Sequence, residues 1–465
     1  MQLKDLPATQ GRFSDLPTDP LRYMREQYLR HGEISAFEEG NQRLVFAFGP
    51  RYNKLILSDP ETFHSYFFAV RGPKNSAQRR LSSGLLSMNG AQHRRHRRML
   101  MEPFQRRSFA SYVAPISQLI ADMLDQWSPG QTRNVHDDMT HFMLRVTSSI
   151  LFGFDQPEIA YRIGRMIHHW VDLSHQVGIA AVDPGKMAHD AYQSLLDFAA
   201  ELEVEIADLI RMRRCGAAHG ADVLSILIRS HDEQGGLTDG ALIGHAALLF
   251  GAAHLTTAHS LTWMLFLICQ HPDVAAQLSD EFATQLGGRM PTIDDFPRMS
   301  VLERVVKESM RVLPGSAYVQ RVNVAPVRLG PYHLPRGTTV VFSQFVTHHM
   351  RELYVDPDRF DPDRWLSINP SPYAYLPFGA GPRLCIGGPL ALVIIKLVIP
   401  AVLERFGLRV QPGADINAKA ISTMLCPTTP VPMIVGSAGR QFKAIPVTGN
   451  IHDLVDLPYI EGRGQ

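Results

Sequence analysis

The stretch that decides the fold is LPFGAGPRLCIGGPLA, residues 376–391. Within it, four glycines and three prolines surround one cysteine, Cys385. Glycine has no Cβ, so a loop of this composition lets the backbone approach a bulky group closely. The apolar run from about Pro389 to Phe406 begins with a proline, which favours a helix start there. The stretch therefore predicts a tight loop that presents Cys385 immediately before a helix.

The loop has the features that stabilise a cysteine thiolate. Its pattern is Phe378-x-x-Gly381-x-Arg383-x-Cys385-x-Gly387. Arg383 brings positive charge, Phe378 can shield the sulfur from water, and Gly387 lets backbone amides point at it. The dipole of the following helix would stabilise the anion as well. A thiolate held in this way can serve as an axial ligand of a haem iron. The alternative is a buried structural cysteine in a turn.

This pattern resembles the signature of the cytochrome P450 superfamily of haem-thiolate monooxygenases, in its soluble bacterial form. The resemblance implies a mainly α fold with smaller β-sheets, arranged as an α+β triangular prism. It also implies haem b, with Cys385 as the ligand of its iron and a distal helix on the opposite side. We expect residues 1–465 to form a single cytochrome P450 domain, with terminal segments at about 1–20 and 447–465.

Composition limits the class of protein. The chain has 465 residues, of which 20% are charged, and its net charge of +1 gives no reason to expect nucleic acid as a partner. The four cysteines are too widely spaced for a zinc module or a disulfide scaffold; they are Cys215, Cys269, Cys385 and Cys426. The N-terminus lacks an apolar export segment, and the apolar run 261–269 is too short to span a bilayer. We therefore predict a cytoplasmic protein without a membrane anchor, and a monomer.

The remaining pattern is mostly helical. Residues 43–49 and 53–59 suggest two short strands, whereas residues 94–286 have mainly helical periodicity. Thr238 and Asp239 are suited to cap a long helix that ends near Gln270. After Pro314, short apolar runs separated by turns predict small β-sheets.

A second motif lies upstream of the cysteine loop. Glu308 and Arg311 are three residues apart, which places them on one face of a helix. By resemblance, Arg359 in the stretch DPDRF is the third member of a buried Glu–Arg–Arg network. Such a network has a structural role, because a buried carboxylate is costly unless it is fully hydrogen-bonded.

Haem carries two propionates, which require cationic or hydrogen-bonding partners. His93 and Arg97 are four residues apart and so share a helical face. By resemblance, Arg321 and His348 occupy two further positions on the propionate side. The neighbouring Arg94 and Arg98 are interpreted as a solvated face, with the docking of an acidic redox partner as the alternative.

The predicted distal helix contains Ala252, Ala253, Leu255 and Thr256 at positions that match the family's oxygen-binding pattern. The small residues leave room for a ligand, and the Thr256 hydroxyl can hydrogen-bond bound dioxygen or a water. Two features depart from the family: Ala253 replaces a glycine, and Leu255 replaces the acid that helps to relay protons.

The missing acid leaves three possibilities open. Either water held by Thr256 alone supplies the protons, or His254 or His259 relays them, or the enzyme uses peroxide or performs oxidative coupling. A packed, structural role is the simpler interpretation of both histidines.

The resemblance implies insertion of one oxygen atom from O2 into a small hydrophobic molecule, in secondary metabolism. Electrons derived from NAD(P)H would come through a separate ferredoxin and ferredoxin reductase, or through a flavodoxin. The alternatives are a peroxide-using or oxidative-coupling enzyme and a catalytically silent haem-binding module. Residues on the substrate side would be apolar and aromatic, although core packing explains them equally well; they are Tyr66, Phe67, Phe68, Leu85, Leu249, Tyr318, Met424 and Leu425.

Overall fold

The computed structural model describes residues 1–65, 70–180, 187–215, 220, 222–234, 237–439 and 443–458. The helices in this part are α1 (Pro20–His31), α2 (Gly49–Leu57), α3 (Ala77–Leu81), α4 (Gly90–Leu100), α5 (Arg106–Leu124), α6 (Val135–Phe152), α7 (Pro157–Ala180), α8 (Met187–Cys215), α9 (Val223–Gln234), α10 (Asp239–Gln270), α11 (Pro272–Gln285), α12 (Ser300–Val312), α13 (Gln344–His348) and α14 (Gly388–Arg405). The strands are β1 (Ala8–Gln10), β2 (Ile34–Glu39), β3 (Gln42–Ala47), β4 (Phe63–Ser65), β5 (Thr132–Asn134), β6 (Val319–Asn323), β7 (Val327–Leu329), β8 (Tyr332–Leu334), β9 (Thr339–Phe342), β10 (Phe406–Val410), β11 (Ala418–Ile421), β12 (Met424–Pro427) and β13 (Pro432–Ser437).

The 32-residue helix α10 runs through the centre of the protein and packs against α6, α7, α12 and α14. Its start is as predicted: the Thr238 side chain accepts a hydrogen bond from the amide of Ala241 at 3.2 Å. A cap of this kind is worth about 1 kcal/mol. By length and composition α10 could cross a membrane, but 72% of its most apolar window is buried inside the protein. That burial is the pattern of a core helix.

Four small sheets surround the helices within the described residues. The largest has six strands in the order β1-β2-β3-β9-β6-β4, with β6 antiparallel to both β9 and β4. A three-stranded sheet has the order β10-β13-β5, and two hairpins are formed by β7-β8 and β11-β12. The prediction of a mainly α fold with smaller sheets is therefore confirmed.

One local prediction is wrong. Residues 53–59 do not form a strand, because Asn53 to Leu57 belong to α2, which begins at Gly49 with proline at its first turn. The buried side chains of Tyr52 and Ile56 are four residues apart, which is helical spacing. Asn53 is buried too, and its amide donates to the Thr347 hydroxyl at 3.1 Å. A short apolar run is ambiguous between strand and helix until its tertiary partners are known.

The buried Glu–Arg–Arg network exists, but its third member is Arg364 and not Arg359. Glu308 and Arg311 are both fully buried and form two hydrogen bonds of 2.8 and 2.9 Å. The guanidinium of Arg364 donates to the same carboxylate at 2.8 Å and is also buried. Arg359 is exposed and contributes only its backbone carbonyl, which accepts from Arg311. The carboxylate is completed by the amide of Asp361 and the indole of Trp365, each at 2.9 Å.

Both terminal segments are integrated into the fold. Strand β1 pairs in parallel with β2, which ties residues 8–10 to the large sheet. Near the other end, Ile451 and Val455 are 0% and 1% exposed and belong to the same apolar cluster as α10. The described parts of these segments, up to residue 458, therefore belong to the packed structure.

Candidate active site at Cys385

The cysteine loop is positioned by close backbone contacts. Cys385 follows the short 3-10 turn Gly381–Arg383 and precedes α14, and its amide donates to the carbonyl of Phe378 at 2.9 Å. Gly381 has φ +72°, a conformation that favours glycine. A Cβ at this position would overlap the carbonyl oxygen of Leu57 at the end of α2. The glycine is therefore required both by the turn and by the contact with α2.

Opposing effects act on the pKa of the Cys385 thiol. The side chain is accessible, yet burial among the surrounding protein atoms raises the pKa of the thiol. Hydrogen bonds from the amides of Gly387 and Gly388 and the charge of Arg97 act in the opposite direction. The predicted contribution of glycine amides is thus present. Among the charged groups, Arg97 lowers the pKa of the thiol, whereas the sequence had suggested Arg383.

Phe378 lies against the start of α14. A Cβ on Gly388 would be 3.1 Å from the Phe378 ring, so the aromatic ring covers the helix end whose amides face the sulfur. This is the location expected for a side chain that limits access of water to Cys385.

Helix α10 is buried along most of its length but opens in the middle. Ala252 and Ala253 are exposed there, and Gly251, Leu255 and Thr256 are partly exposed. The Thr256 hydroxyl donates to the carbonyl of Ala252 at 2.9 Å. Exposed small residues in the centre of a core helix indicate an internal space beside it, as the sequence predicted.

His254 and His259 do not line this opening. His254 is 0% exposed, and at 100° per residue it lies on the opposite side of α10 from Ala252. His259 is 3% exposed, and its ring packs 5.4 Å from that of His136. Burial lowers the pKa of each to about 3. Both are packed histidines, and their placement does not support direct proton transfer to the opening.

Three arginines and one histidine converge beside the loop. Burial and the charge of Arg383 lower the pKa of Arg321 to about 9, and burial with Arg97 lowers that of Arg383 to about 10. Burial is the largest influence on His93. Together with the charges of the three arginines, it lowers the pKa of His93 to about 4. Their hydrogen bonds go to neutral oxygens: Arg97 donates to the carbonyl of Leu384 at 2.7 Å, and Arg383 to that of Met88 at 2.9 Å.

None of Arg97, Arg321 and Arg383 has an ion pair among the residues that the structure describes. A cluster of mutually repelling cations without a carboxylate is unfavourable unless it receives an anion. His64 on β4 belongs to the same region, since Arg383 lowers its pKa in addition to burial. No motif pointed to His64, which is more than 300 residues from Arg383 along the chain.

His348 does not belong to the cationic cluster. Its ring is 0% exposed, and both nitrogens are used within the protein: Nε2 accepts from the amide of Leu376 at 2.8 Å, and Nδ1 donates to the carbonyl of Arg311 at 3.1 Å. No nitrogen remains for a propionate. The prediction of a propionate contact for His348 is therefore wrong, and the residue instead links α12 to the segment before the cysteine loop.

The predicted substrate-side residues are mostly packed in the core. Leu85, Leu249 and Leu425 are 5%, 8% and 0% exposed, whereas Tyr318 is partly exposed. Burial raises the pKa of Tyr318 to about 12. The β11-β12 turn reaches the segment before β6, where the amide of Ala317 donates to the carbonyl of Thr423 at 2.7 Å. Tyr66, Phe67 and Phe68 lie outside the described residues.

The residues present fit haem b. The thiol faced by amides suits the iron, and the exposed small residues on the central helix leave space for the planar macrocycle. The arginine cluster, which has no acid partner among the described residues, suits the two carboxylates. When bound, haem supplies the oxygen-activating chemistry, and the protein supplies ligation, orientation and exclusion of water.

Comparison with known proteins agrees with this geometry. The family model Cytochrome P450 matches residues 9–435. The cyclooctat-9-en-7-ol 5-monooxygenase of Streptomyces melanosporofaciens is 32% identical over 400 residues, which cover 83% of this chain and 84% of that enzyme. The pentalenene oxygenase of Streptomyces avermitilis is 28% identical over 420 residues, which cover 88% of this chain and 91% of that enzyme.

A solved structure has the same fold. The retinoic acid-bound cyanobacterial CYP120A1 superposes with a TM-score of 0.81 and 21% sequence identity, and the alignment covers 93% of this chain and 100% of that one. The chain belongs to the cytochrome P450 family. It is a haem b-dependent monooxygenase that inserts one oxygen atom into a hydrophobic small molecule and takes its electrons from separate partners.

Proposed function

We propose that the enzyme hydroxylates a cyclic terpenoid, either a hydrocarbon or an alcohol derived from it, in bacterial secondary metabolism. One observation carries the site assignment: an accessible cysteine faced by amides lies in the same fold as an opening of small residues on α10, with an unpaired cationic cluster beside the cysteine loop. The terpenoid class is supported by the two Streptomyces relatives, whose names give a cyclooctatenol and pentalenene.

In this proposal, the Cys385 sulfur would bind the haem iron, and the amides of Gly387 and Gly388 would stabilise that sulfur as a thiolate. Phe378 limits water at the sulfur. His93, Arg97, Arg321 and Arg383 receive the propionates, since these groups are cationic or hydrogen-bonding and no acid neutralises the arginines. A carboxylate bound to such a cluster is held by charge-assisted hydrogen bonds.

On the distal side, Ala252 and Ala253 leave space for the reacting group, and Thr256 holds a water or dioxygen through its hydroxyl. The hydroxyl now donates to the carbonyl of Ala252, so it must turn away from that bond to donate elsewhere, while its oxygen stays free to accept. The Leu255 side chain has no group that can relay a proton. In this proposal the protons therefore come through water bound at Thr256.

A test of the proposal begins with the purified haem protein reduced under carbon monoxide. Thiolate ligation by Cys385 predicts a Soret band shifted well to the red of imidazole-ligated globins, and a band at the globin position would refute it. Cyclic terpene hydrocarbons and their monohydroxylated derivatives are then screened by the spectral shift that accompanies binding. Turnover of the hits with labelled dioxygen should place one labelled atom in the product.

A second candidate function is peroxide-driven oxidation or oxidative coupling, and Leu255 is the observation that favours it. Proton delivery without the distal acid is less demanding when peroxide supplies both the oxygen and the protons. Turnover with hydrogen peroxide alone, compared with turnover by reductase and NAD(P)H, separates the two. Product from the reductase system only would exclude peroxide use. A catalytically silent haem-binding module would form no product with either peroxide or the reductase system.

The electron donor is proposed to be an acidic ferredoxin, with a flavodoxin as the alternative. Arg94, Arg95 and Arg98 are exposed on α4, the helix that also carries Arg97. An apolar cleft of about 720 Å³ borders α14 close by, with Arg106 at its edge and Lys396 paired with Glu303. A cationic surface beside the cysteine helix would attract an anionic protein, so the reduction rate should fall as ionic strength rises. We also propose a single domain, a monomer and a cytoplasmic location.

A further inference from the structure

Asn89 immediately precedes α4, the helix that carries His93 and Arg97. An asparagine at this position ordinarily accepts a hydrogen bond from an amide in the first turn of the helix. The Asn89 side chain makes no such bond, although its backbone carbonyl accepts from the amide of His93 at 3.2 Å. The next residue, Gly90, has φ +53°, so the chain enters α4 through a conformation that favours glycine. The Asn89 side chain is therefore available for partners outside its own helix.

The side chain of Asn89 joins two other elements. Its Oδ1 accepts from the amide of Ser65, at the end of β4, at 2.7 Å and from the guanidinium of Arg383, in the cysteine loop, at 2.9 Å. Its Nδ2 donates to the carbonyl of Ser65 at 3.3 Å. Ser65 is also the partner of Arg321 in the antiparallel pairing of β4 with β6. One amide group thus connects α4, β6 and the cysteine loop, the three elements that carry Arg97, Arg321 and Arg383.

Arg383 donates only to neutral oxygens among the residues that the structure describes. Besides Asn89, its two terminal nitrogens donate to the carbonyl of Met88 at 2.9 Å and to that of Leu86 at 3.4 Å. Hydrogen bonds from a charged donor are stronger than those between neutral groups, so these oxygens fix the guanidinium. None of them carries a formal charge. The arginine is therefore held in place without being neutralised.

The alternative at this position is a carboxylate. An aspartate has nearly the shape of asparagine, and it would accept the same two hydrogen bonds from Ser65 and Arg383. It would also form an ion pair with Arg383, which relieves the repulsion among the arginines in the protein without a ligand. The same pair would remove part of the positive charge that attracts two carboxylates. Relative to aspartate, Asn89 is therefore unfavourable for the empty protein and favourable for an anionic ligand.

We propose that Asn89 is a positioning residue of the haem site, which fixes the elements that carry the three arginines through a neutral oxygen and so preserves their charge for the two propionates. The inference rests on haem binding beside the cysteine loop, as proposed above. Asn89 performs this role through Arg383 and Ser65, because these partners occupy its side chain.

The experiment compares Asn89→Asp with Asn89→Ala, both without and with haem. Asn89→Ala removes the acceptor of Ser65 and Arg383, so urea unfolding should show a less stable apoprotein. Asn89→Asp keeps both acceptors and compensates the charge of Arg383, so its apoprotein should be at least as stable as the wild type. Both variants should nevertheless transfer haem to apomyoglobin about tenfold faster, the factor expected when one charge-assisted hydrogen bond is lost.

The reduction potential of the haem separates electrostatics from packing. At pH 7 an aspartate beside an arginine is ionised, so Asn89→Asp adds one negative charge next to the cluster and disfavours the extra electron of the reduced form. The equilibrium constant for reduction should fall by about tenfold, which is about 59 mV for one electron. Asn89→Ala leaves the charge unchanged, so this constant should change by no more than about twofold.

Asn134→Asp is the matched control. Asn134 also precedes a helix, α6, that its side chain does not cap, and its Oδ1 accepts from the amide of Val431 at 2.9 Å, with no arginine donor among the described residues. This variant should leave haem transfer and the reduction potential unchanged.

Haem transfer at the wild-type rate in either Asn89 variant, or an unchanged potential in Asn89→Asp, overturns the proposal. A merely structural role predicts that haem retention follows the stability of the apoprotein, so Asn89→Asp would then keep its haem. Failure of the haem assignment is distinct, because it would appear as a globin-like Soret band in the wild type.

Discussion

The replacement Arg364→Ala tests which arginine completes the network at Glu308. In the wild type, Arg364 donates to Glu308 at 2.8 Å and to the carbonyl of Val355 at 2.6 Å, and its side chain is 7% exposed. Alanine removes one of two guanidiniums that compensate a fully buried carboxylate. It also leaves backbone carbonyls without a donor.

The expected cost is about 3–5 kcal/mol, the range observed when one partner of a buried ion pair is removed. Arg359→Ala is the matched control, since Arg359 is exposed and contributes only a backbone carbonyl that alanine retains. That variant should change the free energy of unfolding by no more than about 0.5 kcal/mol.

The assay is urea unfolding of the haem protein at fixed pH, followed both by circular dichroism and by the Soret band. Agreement of the two signals shows whether loss of the network and loss of haem occur together. If Arg359→Ala destabilised the protein as much as Arg364→Ala, the assignment of Arg364 would be refuted, together with the estimate of its energetic role.

Three further predictions follow from the site and the distal helix. Cys385→Ser should fold, because a serine hydroxyl can also accept hydrogen bonds from the amides of Gly387 and Gly388. It should lose the red-shifted Soret band of the carbon monoxide complex. A variant that keeps this band contradicts ligation by Cys385. Arg321→Met should stabilise the apoprotein, because burial and Arg383 disfavour the charge, yet it should speed haem transfer to apomyoglobin by about tenfold or more; slower transfer would argue against a propionate contact. The three α10 histidines have pKa values lowered to about 3, so their contribution to stability is complete above about pH 6.5 and is lost as the pH falls, by up to about 1.4 kcal/mol per pH unit for each histidine. Urea unfolding at several pH values measures this slope, which His245→Phe should reduce by one histidine's share.

The sequence predicted most accurately where the structure is regular. Within a helix, spacing alone decides which side chains share a face, so Glu308 and Arg311 pair as expected and His93 lies beside Arg97. The Thr238 cap and the end of α10 at Gln270 were predicted for the same reason. The cysteine loop has fixed offsets between its glycines, and its turn and close contact with α2 admit few alternatives.

Predictions failed in short helices and irregular segments, whose side chains take their partners from elsewhere in the chain. Between α13 and α14, residue spacing does not determine which arginine folds back to Glu308, and Arg364 does so although Arg359 matched the expected pattern. His348, the last residue of the short helix α13, was assigned to the propionates from its position in the sequence, whereas its ring is used by Leu376 and Arg311. In such segments the backbone can carry a side chain in several directions, and the choice depends on which partners are buried there.

The sequence by itself determined the family, the iron-binding cysteine expected at position 385 and the absence of an acid at Leu255, because each depends on residue identity at fixed local offsets. Only the tertiary structure decided which distant groups meet: the cationic cluster that gathers His93 and Arg321 from separate elements, and the histidine pairs of α10. The physical reason is that electrostatic repulsion and burial act through space. Their partners are set by the packing of elements that are far apart along the chain.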